Sequence, residues 1–337
     1  MRIEIPKAED LIRKLFAIDG AEAFEGVTLE VYRFQYAYNA LYRRYADLTG
    51  GDPRRVSAIR DIPFLPISFF KTQPIQTTDF TPSIIFESSG TTGSQVSRHL
   101  VKDPALYEAS FTRTFEAFYG PATDYCFLAL LPSYLERGSS SLVYMVKELI
   151  RQSGHPQSGF FLYDFTELAA RLADLERSGQ KTILIGVTYA LLDFAAQHPM
   201  PLTNTIIMET GGMKGRKKEL VRSEVHEALM RAFGVSSIHS EYGMTELLSQ
   251  GYAQSGGRFY APAWMKVLVR EEDDPRSVVT RTEVPRTGAI NIIDLANLYS
   301  CSFIATEDLG IIHPDGSFEV LGRIDNSDVR GCSLLAV

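Results

Sequence analysis

The chain has 337 residues, 45% of them hydrophobic and 22% charged, proportions of an ordinary globular protein with one large domain or two of usual size. A net charge of −7 excludes a general attraction to nucleic acid or to an anionic membrane, so any anionic ligand must be held by local features. No stretch approaches the roughly 20 consecutive apolar residues of a membrane helix, and "MRIEIPKAEDLIRKLF" lacks the apolar core of a signal peptide.

Up to about Gly51 the chain reads as helical, since "AEDLIRKLFAI" and "YRFQYAYNALYRRYADLTG" both carry apolar residues at helical spacing. The three prolines of "DIPFLPISFFKTQPI" forbid a long helix and predict an extended, buried connection. From about Asp124 strands and helices alternate. "YCFLALLP", "GFFLYDF", "KTILIGV", "TNTIIMETGG" and "SSIHSEYG" read as strands. Between them "SSLVYMVKELIRQSG", "ELAARLADLERSG", "YALLDFAAQH" and "RKKELVRSEVHEALMRAFGV" read as helices, the last with Val221, Val225, Ala228, Leu229 and Ala232 on one face. Such alternation predicts parallel βαβ units in a sheet covered on both faces. Beyond about Phe259 the helices stop, and "WMKVLVRE", "GAINIIDL", "SFIATEDLGII" and "SFEVLGRI" read as strands. "HPDGS" is a hairpin turn, with Pro314 fixing φ and Gly316 supplying the positive φ. The expected organisation is a helical region over 1–78 packed on the core, an α/β nucleotide-binding core over 79–258, a β-rich subdomain over 259–322 and a tail over 323–337.

Four short motifs carry candidate chemistry. In "FESSGTTGSQVSRH", Ser, Thr and Gly follow an apolar strand end. Their free N–H groups and the hydroxyls of Ser88, Ser89, Thr91 and Thr92 read either as a phosphate cradle or as a polar surface loop. The lysine of a Walker A loop is missing. In "ETGGMKGRKKE", Gly211 and Gly212 allow close approach to a flat ligand. Lys214, Arg216, Lys217 and Lys218 then crowd a helix start, as a polyphosphate site or as a solvated charged face. In "SEYGMTELLS" a strand end presents Tyr242 for stacking, Thr245 for a phosphate and Glu246 for Mg²⁺, at the carboxyl edge where open α/β sheets bind ligands. Finally, "TEDLGII" and "LGRID" offer Asp308 for a ribose diol and Arg323 for phosphate or ribose oxygens, or else a structural ion pair.

The order "SSGTTG", "YGMTE", "TEDLG", "GRID" resembles the core motifs of the adenylate-forming superfamily of acyl-CoA synthetases, firefly-type luciferases and peptide-synthetase adenylation domains. Within it, "DIPFLPISFFK", "LPSYLERGSSSLVYM", "ETGGMKG" and "RGCSLL" look closest to the LuxE-type acyl-protein synthetases of bacterial fatty-acid reductase complexes. The resemblance implies an adenylate-forming α/β core with a mostly parallel sheet, and the cofactors ATP and Mg²⁺. A carboxylic acid, expected to be a fatty acid in an apolar pocket, would become acyl-AMP. By the same resemblance Ser88, Ser89, Gly90, Thr91, Thr92 and Gly93 hold the polyphosphate. Gly211, Gly212 and Tyr242 line the adenine pocket, Thr245 bonds the AMP phosphate and Glu246 holds the metal. Asp308 takes the ribose hydroxyls, and Arg323 assists.

Two features depart from the superfamily. Its members carry a mobile C-terminal domain with a lysine that stabilises the adenylation transition state; here the chain ends at Val337 with no lysine after Arg323. Lys214 or Arg98 is the expected substitute. The phosphate loop also reads Ser94-Gln95 where relatives have proline or glycine followed by lysine. Only three cysteines occur, Cys126, Cys301 and Cys332, at no metal-ligand spacing, which predicts a reducing, cytoplasmic setting. LuxE-type enzymes pass the acyl group to a cysteine near their C-terminus and then to a reductase partner, and Cys332 holds that position. Gly331 gives it backbone freedom and Arg330 favours its thiolate. The competing reading of Cys332 is packing with Leu334 and Leu335. Cys126 and Cys301 read as packed, and His239 as structural. The alternatives in function are a CoA ligase of the phenylacetate–CoA ligase type, or a non-catalytic nucleotide- or acyl-binding subunit.

Overall fold

The computed structural model describes residues 5–88, 95–132, 139–211, 220–271, 274 and 276–324. In chain order it opens with helices α1 (Ala8–Leu15), α2 (Ala21–Tyr38) and α3 (Ala40–Leu48). Acidic residues in the first turn of α1 and basic ones in its last complement the helix dipole, while Leu11 and Leu15 face inward. Asn39 separates α2 from α3: its Oδ1 accepts the Tyr42 amide and caps α3. Then come β1 (Leu65–Pro66) and the short helix α4 (Phe69–Thr72). The proline-rich connection is thus buried as expected, through Phe64, Leu65, Ile67, Phe70 and Ile75, but it holds one helical turn rather than running extended throughout.

The middle of the chain contains β2 (Ile84–Glu87), β3 (Arg98–Val101), α5 (Pro104–Tyr119), β4 (Cys126–Leu130), α6 (Ser141–Ser153), β5 (Gly159–Phe160) and α7 (Phe165–Ser178). It continues with β6 (Thr182–Gly186), α8 (Thr188–Gln197), β7 (Thr205–Glu209), α9 (Arg222–Phe233), β8 (His239–Tyr242) and β9 (Gly251–Ala253). The final strands are β10 (Met265–Arg270), β11 (Val278–Val279), β12 (Arg286–Asp294), β13 (Phe303–Ile312) and β14 (Phe318–Arg323).

Two compact units result. One comprises residues 82–262; the other joins the chain up to Thr81 with the chain from Ala263 onward. In the middle unit the sheet runs β5-β4-β6-β7-β8-β9, parallel except for β9. Every residue of β4 and β6 is buried, the reason these strands read as unbroken apolar runs. The strand expected across "GFFLYDF" is only Gly159–Phe160, because Leu162 and Tyr163 beyond it are exposed at the sheet edge. The helix expected from Arg216 begins at Arg222 among the described residues. Val221 therefore precedes it and is exposed, while Val225, Leu229 and Phe233 form the buried face.

The other unit holds a sheet ordered β1-β13-β12-β10-β11, with β14 on the far side of β13. Only β1 pairs in parallel; the other pairings are antiparallel. Residues separated by most of the chain meet here. Gln35 of α2 donates to the carbonyls of Asn297 and Leu298 and accepts the Ser302 amide. The Phe303 ring packs among Tyr32, Tyr42 and Phe64. The β13–β14 hairpin turns at the expected place, with Gly316 at φ +83°.

Candidate active site

The first motif is mounted on the antiparallel pair β2–β3, where Glu87 faces Arg98. Ser88 N donates to Ser97 O at 3.0 Å, and Ser97 N donates back to Ser88 Oγ at 2.9 Å. Ser88 thus closes the neck of the loop and still has a hydroxyl proton to donate. Ser89, Gly90, Thr91, Thr92 and Gly93 lie outside the described residues. Arg98 places Nε 3.5 Å from Glu87 Oε1, a solvent-exposed cross-strand pair at that neck. From the adjacent position, His99 Nδ1 lies 2.8 Å from the Thr245 carbonyl oxygen. A carbonyl only accepts, so Nδ1 carries the proton. Burial lowers this imidazole to about 4, against the raising effect of that bond, so it is neutral at pH 7. The loop-bearing hairpin and the turn of the third motif are thereby tied together. His99 escaped sequence reasoning because a histidine in the strand "RHLV" carries no motif.

That third motif leaves β8 at Tyr242. The Tyr242 ring is buried and packs on Phe259 at 5.9 Å between centroids. Thr245 is half-buried and Glu246 buried. Alternation along β8 sends His239 and Glu241 to one face and Ser240 and Tyr242 to the other. His239 Nδ1 lies 3.1 Å from the Tyr119 hydroxyl, and burial lowers the ring to about 4, in keeping with a structural role. Glu241 is pushed up to about 8 by burial and by the charge of Glu209. A side chain at Gly243 would begin 2.5 Å from Glu241 Oε1, so the absence of a Cβ there makes room for that carboxyl.

The second motif starts at Glu209, the last residue of β7. Its carboxylate accepts the Gly211 amide at 2.6 Å and the Thr188 hydroxyl at 3.1 Å. Arg222 Nε and His226 Nε2 lie 3.5 and 3.7 Å from its other oxygen. Burial alone would raise this carboxyl, but His226, the Arg222 charge, Ser240 and the Gly211 amide together lower it to about 2. Glu209, Arg222 and His226 were not anticipated; the helical spacing of Arg222 and His226 was the only signal present. Gly212, Lys214, Arg216, Lys217 and Lys218 fall outside the described residues.

In the other unit, Asp308 and Arg323 are register partners across β13 and β14, with Nε 3.7 Å from Oδ1. Cys126 and Cys301 are buried free thiols, as expected. Burial pushes Cys301 up to about 12 despite its contact with the Phe303 carbonyl. Cys332, with Arg330 and Gly331, lies outside the described residues.

Among the described residues no cluster of three or more His, Cys, Asp or Glu is built to hold a metal, and no helix is long and apolar enough to cross a membrane. Mg²⁺ takes one or two protein carboxylates and fills its remaining positions with phosphate oxygens and water, so a single carboxylate at the site is enough, and the buried Glu246 is the candidate.

No protein-family model and no curated protein matches the sequence. Solved structures do match the fold. A 2-hydroxyisobutyryl-CoA ligase in the postadenylation state aligns over 90% of this chain and 68% of its own, with a TM-score of 0.61 and 12% identity. A long-chain-fatty-acid–CoA ligase from Archaeoglobus fulgidus aligns over 71% of this chain and 51% of its own, with a TM-score of 0.50 and 14% identity. A coronafacic acid ligase from Pectobacterium brasiliense is covered over 42% of its length, at a TM-score of 0.42 and 16% identity. The chain therefore shares the α/β fold of the first two of these ligases. It spans between 42% and 68% of the length of the three.

Proposed function

We propose that this protein is an ATP-dependent acyl-protein synthetase of the LuxE type. The carboxylate of a fatty acid attacks the α-phosphorus of ATP, pyrophosphate leaves, and acyl-AMP forms. A thiolate then attacks the acyl carbonyl and AMP departs, leaving a thioester. The Cys332 thiolate is the assigned nucleophile, and a thiol on a reductase partner is the next acceptor. The observation that carries the reading is the fold shared with an acyl-CoA ligase, combined with motifs in the superfamily's order, those at Ser88, Gly211, Tyr242 and Arg323 falling at strand ends and Asp308 within β13.

In this reading the residues 88–93 cradle the polyphosphate on the β2–β3 neck, with Ser88 also closing that neck. Gly211, Gly212 and Tyr242 line the adenine pocket. The Thr245 hydroxyl bonds the AMP phosphate while His99 holds the Thr245 carbonyl. Asp308 accepts the ribose hydroxyls, with Arg323 beside it. Mg²⁺, held by Glu246, would screen the phosphate charge when bound.

A second reading sends the acyl group to coenzyme A, favoured by the CoA ligases that share the fold. Acid-dependent ATP–pyrophosphate exchange across a panel of acids tests adenylation, and its absence for every acid would leave a binding subunit. Self-labelling by radiolabelled fatty acid separates the two acceptors. Label released by hydroxylamine and missing in Cys332→Ser is the result for protein acylation. CoA turnover indifferent to Cys332→Ser is the result for a CoA ligase.

A further inference from the structure

Beneath the Gly211 turn lies a bracket of charge and aromatic surface in which Glu209 opens the second motif, while Arg222 and Phe259 belong to none of the four. Its first member, Glu209, bonds the amide of the residue that turns the chain out of the sheet; Gly211 sits at φ +74°, where side chains are strained. Its second member is Arg222, the first residue of α9. A cation in the first turn of a helix opposes the dipole, so its presence there calls for a compensating partner. Glu209 is one such partner, with Nε 3.5 Å from Oε1. The guanidinium also lies 5.1 Å from the Phe259 ring centroid, an arrangement in which an arginine attracts an aromatic face. Space for it comes from Gly257, where a Cβ would stand 2.9 Å from Arg222 Cδ. Phe259 in turn packs on Tyr242. One run of contacts therefore joins Gly211, Glu209, Arg222, Phe259 and Tyr242.

The two ends of that run are the residues assigned above to the adenine. We infer that Glu209 and Arg222 are positioning residues for nucleotide binding, holding the Gly211 turn and the Tyr242 ring as the two walls of one slot. The inference rests on the adenylation reading. A buried carboxylate kept only for stability gains little over apolar packing. Here the same carboxylate reaches the backbone of one wall and, through Arg222 and Phe259, the ring of the other.

The test uses the full chain and three variants. Glu209→Gln keeps the shape and an acceptor for Gly211 but loses the charge. Arg222→Met loses the charge and the planar stack, and Arg222→Lys keeps the charge alone. Amide hydrogen exchange is followed over residues 205–211, and AMP is titrated against each protein. In Glu209→Gln and Arg222→Met, exchange at Gly211 is expected to speed up about tenfold and AMP affinity to fall about ten- to a hundredfold. The KM for acid in pyrophosphate exchange should move less than about threefold, a split that general destabilisation does not produce. Arg222→Lys should recover exchange protection but not the full AMP affinity, because an ammonium lacks the planar face. Should Arg222→Met fail to fold, the near-isosteric Glu209→Gln carries the test. Wild-type protein that binds AMP, with both charge-removing variants binding it equally well, overturns the inference alone. Wild-type protein that binds no adenine nucleotide overturns the adenylation reading and the inference with it.

Discussion

Asp308 and Arg323 face one another across β13 and β14, joined by register and by an Nε–Oδ1 separation of 3.7 Å. The pair is lopsided: the Asp308 side chain is 13% exposed and that of Arg323 is 67% exposed. With the guanidinium mostly in solvent and 3.7 Å away, the ion pair contributes little, so Arg323→Ala should change stability by less than about 0.5 kcal/mol in denaturant titration. If Asp308 holds the ribose as proposed, Asp308→Asn should raise the KM for ATP in pyrophosphate exchange about tenfold with kcat nearly unchanged, because one charge-assisted bond would be weakened. An unchanged KM would remove Asp308 from the nucleotide site.

Glu241 sets a pH dependence of the opposite sign to most carboxylates. Its carboxyl is pushed from the ordinary 4.5 up to about 8, so the folded chain keeps a proton that the unfolded chain releases. Stability attributable to this group therefore falls as pH rises from 4.5 towards 8. Glu241→Gln should stabilise the protein at pH 9 by about 2–4 kcal/mol and give almost no gain at pH 4. Equal effects at both pH values in urea titrations would refute the assignment.

Histidine supplies the acid side of the profile. Both His99 and His239 are lowered from 6.5 to about 4, chiefly by burial, so the unfolded chain binds their protons first. Their contribution is complete above pH 6.5 and is lost as pH falls towards 4. The double variant His99→Gln, His239→Gln should flatten the stability profile between those limits. A slope identical to that of the wild type would show that other groups govern it.

Two glycines of the β13–β14 hairpin should respond differently to alanine. At Gly310 a Cβ would lie 2.4 Å from the Glu319 carbonyl oxygen and 2.6 Å from Ile290 Cδ1, so the strands would have to part. Gly310→Ala should cost about 1–3 kcal/mol or more. At Gly316 nothing lies within 4 Å, and only the φ of +83° is strained. Gly316→Ala should cost about 1 kcal/mol. Thermal unfolding of the two variants would decide it, and the reverse ranking would contradict the close approach of Glu319 and Ile290 to Gly310.

What the sequence determined alone is the order of local elements. The apolar runs of β4 and β6, the amphipathic periods of α6 and α7 and the Pro314–Gly316 turn each depend on residues close together in the chain, so composition and spacing reveal them. The motifs are legible for the same reason: Gly211, Tyr242 and Thr245 sit at or just beyond strand ends that periodicity already marks. Tertiary structure alone decided that the chain up to Thr81 shares a unit with the chain from Ala263 onward. It also decided that Gln35 serves the Asn297–Ser302 loop, that His99 holds Thr245, and that Glu209 meets Arg222. Those partners are set by three-dimensional packing and desolvation, and a contact between residues remote in sequence, or between side chains outside any motif, leaves no periodic trace along the chain.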